Sequence, residues 1–118
     1  TITQTRLEIM QQVASSTITQ LAAQGAVNMG LMRFSTNTNN GCTNTAAAEG
    51  GMVIREIGPV EVQAPLMLAD IAALNANGCT PLSETMFEAY RYLSGSSVQY
   101  GLNSMSFRAD VTPPTLSP

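Results

Sequence analysis

Glu84 and Glu88 stand one helical turn apart, Cys42 and Cys79 are the two cysteines, and Thr80 places a hydroxyl beside Cys79. These are the side chains whose types and spacing bear on chemistry. Paired carboxylates suit acid–base work or a hard cation, and thiols suit a nucleophile, a soft metal or a disulfide. What is missing narrows the choice. The chain has no His and no Lys, which removes the usual general base, the Ser-His and Cys-His pairs, imidazole ligands and Schiff-base chemistry. A Lys-containing isopeptide cross-link is excluded on the same ground. Neither the dinucleotide nor the Walker glycine pattern is present. Glu84 and Glu88 read as a solvated helix face, with Glu88 able to pair with Arg91. The seven Met fall on apolar stripes and read as adaptable core filler rather than a copper site. Tyr90, Tyr92 and Tyr100 are read as ordinary aromatic side chains ahead of contacts to a partner, with Tyr90 on a buried stripe. The chain is read as non-catalytic.

The helix that carries most of these groups is legible in outline. Thr80 stands where an N-cap belongs, and Pro81 fills the first helical position, where a missing N–H costs nothing. Leu82, Met86, Ala89, Tyr90 and Leu93 recur at steps of three and four and predict one buried face, and Gly95 supplies a left-handed stop. Thr80 is then either a cap or a hydroxyl presented to something else.

Upstream, Thr5-Arg6-Leu7-Glu8 has the form of a capping box. Leu7, Met10, Ala14, Thr17 or Ile18, and Leu21 continue at helical spacing to a stop at Gln24-Gly25, a helix of about five turns. Residues 26–34 are nearly continuous in apolar character and predict a central strand covered on both faces. Residues 35–51 are rich in Asn, Thr, Ala and Gly and read as a long loop holding Cys42. Residues 51–57 predict a second strand nearer the sheet edge, halted by Gly58-Pro59. Leu66 to Leu74 predict a helix over 65–75, with Pro65 in its first turn. Residues 104–118 form a Pro-, Thr- and Ser-rich loop or linker.

At 118 residues the chain is one domain or part of one. Hydrophobic residues make up 44% and charged residues only 11%, a surface polar without being charged, which points to an exported protein. The net charge is −3 with no basic cluster, so nucleic acid is not expected as a partner. No apolar run reaches the ~20 residues of a membrane span, and any export signal is expected upstream of Thr1. Helix, strand, strand, helix, helix suits a doubly wound α/β sheet that is incomplete, with a strand before Thr5 and further strands expected outside the chain.

Val27-Asn-Met-Gly-Leu-Met-Arg-Phe-Ser35, the Gly-Gly-Met-Val-Ile of 50–54, and above all Gly78-Cys-Thr-Pro-Leu-Ser-Glu-Thr-Met-Phe-Glu-Ala-Tyr-Arg-Tyr-Leu-Ser-Gly95 resemble the von Willebrand factor A domain of PilY-type proteins. Those are type IV pilus tip-associated adhesins and assembly factors. The resemblance covers most of residues 5–101 and makes residues 1–103 a partial, Rossmann-like domain of that kind. It implies adhesion and control of pilus assembly or retraction at the extracellular pilus tip, after export through the periplasm. The partners it implies are minor pilins, a host or surface ligand, and the remainder of the same polypeptide. A structural, force-bearing module with a degenerate metal site is the alternative.

The resemblance also implies a metal-ion-dependent adhesion site built from an Asp-x-Ser-x-Ser loop, a separate Thr and a later Asp. Thr80 matches the separate Thr; the other elements have no match in this chain, and Asp110-Val-Thr does not supply one. Mg²⁺ or another divalent cation would therefore need ligands from outside these residues, with Asn39, Asn40 and Asn77 at the ligand rim. If residues 5–25 are a crossover helix, Cys42 and Cys79 arrive at the same sheet edge. A disulfide there would contribute about 4 kcal/mol by loop-closure entropy and tether the Asn-rich loop; two free thiols are the alternative.

Overall fold

The computed structural model describes residues 3–34, 50–76, 80–96 and 99. Its elements run α1 (Arg6–Gln24), β1 (Asn28–Phe34), β2 (Gly51–Pro59), α2 (Val60–Ala72) and α3 (Leu82–Leu93). Among the described residues β1 and β2 form a two-stranded antiparallel sheet, so the architecture is mixed helix and strand. The chain divides into two compact units, Thr1–Gly30 with Ile57–Ala76, and Leu31–Glu56 with Asn77–Pro118.

In the first unit α1 begins as its capping box dictates. Thr5 is extended, its Oγ1 accepts the Glu8 N–H at 3.2 Å, and its own N–H donates to Glu8 Oε2 at 2.6 Å. Two amides that no helical carbonyl reaches are thereby satisfied. Gly25, at φ 68°, ends the helix, and its N–H donates to Leu21 O at 2.9 Å. Ala26 follows at φ 63°, a left-handed conformation that costs a residue with a Cβ about 1–2 kcal/mol. The Val60 N–H then donates to Val27 O at 3.0 Å, joining the approach to β1 to the exit from β2.

α2 starts five residues earlier than its sequence suggests. Gly58 and Pro59 do not halt β2 but complete it, and Pro65 lies inside the helix rather than in its first turn. Pro is tolerated at a strand end because no ladder bond needs its N–H there. Gly58 matters for packing. A Cβ at this position would stand 2.7 Å from Gln63 Nε2, so its small size admits a buried side chain. Inside α2, Pro65 removes one bond to the Glu61 carbonyl at a cost of about 3 kcal/mol. Val60, Ala64, Met67 and Ile71 lie on one face and are buried. Burial of Val60, Met67 and Ile71 contributes roughly 1.5–3 kcal/mol each and outweighs that loss.

α1 packs on α2, with Ile18 buried. At the far end of the pair, Gln11 Nε2 donates to Ile71 O at 2.9 Å and to Leu74 O at 3.1 Å. One side chain of α1 thus adds a donor to carbonyls at and just past the C-terminal end of α2, where Ile71 O also accepts the Leu74 N–H at 3.1 Å.

In the second unit Met52 and Ile54 of β2 are buried. β1 departs from expectation: Asn28 is exposed, the other six residues are half-buried, and none is fully buried. Among the described residues β1 has one neighbouring strand, β2. Of the methionines, Met52 and Met67 are core residues, whereas Met10 and Met86 are exposed.

Candidate functional site

The turn that opens α3 is built differently from a capped helix start. Pro81, not Thr80, is the residue at the cap, with φ −79° and ψ 72°, and no side chain caps the helix. Those angles, with the Leu82 N–H donating to Thr80 O at 2.9 Å, define an inverse γ-turn centred on Pro81. Pro fixes φ where this turn needs it, so the chain enters the helix without a hydroxyl cap. Thr80 is exposed, and its contribution to the helix start is the carbonyl that Leu82 uses. The capping role expected for Thr80 is therefore corrected.

Thr85 takes over the local bonding. Its N–H and its Oγ1 both donate to Pro81 O, at 3.0 and 2.8 Å. Pro81, Thr85, Glu88 and Tyr92 follow at steps of four, three and four, and this is the face that turns inward. Pro81, Glu88 and Tyr92 are buried and Thr85 is half-buried. A Cβ on Gly51 would lie 2.5 Å from Thr85 Cγ2, so the helix approaches β2 as closely as a glycine allows.

The apolar stripe expected to be buried faces out instead. Leu82, Met86, Tyr90 and Leu93 are 62–66% exposed, and Phe87 is 44% exposed. A helix buries such a stripe only against an apolar wall of comparable size. Along it the Phe87 and Tyr90 rings are tilted at 6.5 Å between centroids, and the Arg91 guanidinium lies 5.6 Å over Phe87.

Glu88 also departs from the sequence reading. It is 3% exposed, and both of its carboxylate oxygens accept the Gln99 N–H, at 3.0 and 3.2 Å. Glu84 is half-buried, so the two carboxylates occupy different environments rather than one solvated face. Tyr92 is buried and Tyr90 open, the reverse of the expected burial of Tyr90. Tyr100 lies outside the described residues.

The C-terminal end of α3 agrees with its sequence. Gly95 is left-handed at φ 71°. The Ser96 N–H donates to Arg91 O at 2.9 Å and the Gly95 N–H to Tyr92 O at 3.2 Å, the two bonds of a Schellman motif.

Of the residues singled out for a metal or its rim, Thr80 alone is described; Cys42, Cys79, Asn39, Asn40 and Asn77 lie outside the described residues. Among the described residues no three Asp, Glu or Cys side chains gather as a metal would require. None of the described helices is long and apolar enough to cross a membrane.

Comparison with protein-family models, with curated proteins and with solved structures yields no match.

The inward role of Glu88 is the feature that sequence reasoning missed. Its signal is the spacing Thr85, Glu88, Tyr92, a second helical face that competes with the more apolar one.

Proposed function

We propose that this chain is part of a von Willebrand factor A-like domain of a PilY-type pilus-tip protein. In this reading the domain acts in surface adhesion and in control of pilus assembly or retraction, not in catalysis. The block Gly78–Gly95 carries the reading, because it holds both the family resemblance and a Thr80 hydroxyl that caps no helix.

A hard divalent cation such as Mg²⁺ binds hydroxyl, carboxylate and water oxygens at near-octahedral geometry. Thr80 would supply one of these from the turn before α3. The acidic and serine ligands would come from polypeptide outside this chain, and an open coordination position would take a carboxylate of the adhesion partner. The protein would reach the cell surface through the periplasm and meet minor pilins and a host or surface ligand there.

A second reading, a force-bearing interaction module with a degenerate metal site, is favoured by the uncovered apolar stripe of α3. Titrating Mg²⁺ calorimetrically into the full-length protein separates the two. Adhesion through a metal predicts binding that weakens in Thr80→Ala and persists in Thr80→Ser, which keeps the hydroxyl. Equal binding by wild type and Thr80→Ala would remove Thr80 from the ligand set, and no binding by wild type would select the second reading.

A further inference from the structure

We draw no further inference here: the strongest candidate, the exposed apolar face of α3 formed by Leu82, Met86, Phe87, Tyr90 and Leu93, carries nothing because nothing in the structure shows what covers it.

Discussion

Replacing Gly51 with Ala tests how α3 is seated on β2. Gly51 does not have a left-handed φ, so its backbone accepts an alanine and the only obstacle is what the new methyl meets. It meets Thr85 on three sides: Cγ2 at 2.5 Å, Oγ1 at 2.7 Å and Cβ at 2.9 Å. Thr85 cannot rotate away cheaply. Its β-branched side chain has few helical rotamers, and its Oγ1 is engaged with Pro81 O at 2.8 Å. Either that bond breaks or the helix moves off the strand. Overpacking of this kind costs about 1–3 kcal/mol. Loss of glycine's freedom in the unfolded chain returns roughly 0.4–1 kcal/mol. The net expectation is a destabilisation of about 1–2 kcal/mol, read as a lower urea midpoint at unchanged slope by circular dichroism. Thr85→Ala removes the two closest of the three contacts, so the double variant should recover part of the loss. The coupling between the two sites should then exceed about 0.5 kcal/mol, the usual scatter for independent positions. A neutral Gly51→Ala, or two effects that simply add, would show that α3 is not seated on β2 through Thr85.

Three further perturbations address the other contacts. Gln11→Leu keeps the side-chain volume but removes the donor to Ile71 O and Leu74 O; a loss of about 1–2 kcal/mol in chemical denaturation is expected, and an unchanged midpoint would mean that water serves those carbonyls equally well. The Thr5 backbone N–H, and after it the Thr5 hydroxyl, hold the Glu8 carboxyl below its ordinary value of 4.5. A carboxylate with a depressed folded pKa contributes stability above its unfolded value and loses it as pH falls through the folded one. Wild type should therefore lose stability relative to Glu8→Gln from near pH 4.5 downward, and parallel curves for the two proteins would refute the capping box. Met67→Ala and Met86→Ala should separate sharply, because Met67 is fully buried and Met86 is 63% exposed. About 2–5 kcal/mol is expected for Met67 and under about 0.5 kcal/mol for Met86; a large loss at Met86 would mean that the stripe is covered in the intact protein.

The features legible in the sequence are those made by residues a few positions apart. The Thr5–Glu8 box, the stop at Gly25 and the Schellman turn at Gly95 each close within six residues, so the local alphabet of caps and glycines specifies them whatever lies around. β1 and β2 are recognisable from apolar character and punctuation, though Gly58-Pro59 reads as a terminator when it is the end of β2 itself. The proposed site is legible only through Thr80 and its resemblance. The residues named around it beyond Thr80 fall outside the described structure, and the Pro81 γ-turn depends on backbone angles that composition does not encode.

Tertiary structure decided which of two helical faces is buried. Periodicity ranks faces by how apolar they are, and in α3 it ranks Leu82, Met86, Tyr90 and Leu93 first. Burial depends instead on the surface that is present to receive a face. Gly51 offers Thr85 a close approach, Gln99 gives Glu88 an amide to accept, and Tyr92 is buried with them. Pro65 shows the same division in α2. Its local preference marks a helix start, but burial of Val60 and Ala64 extends the helix upstream of it, because packing along the whole face is worth more than one lost backbone bond.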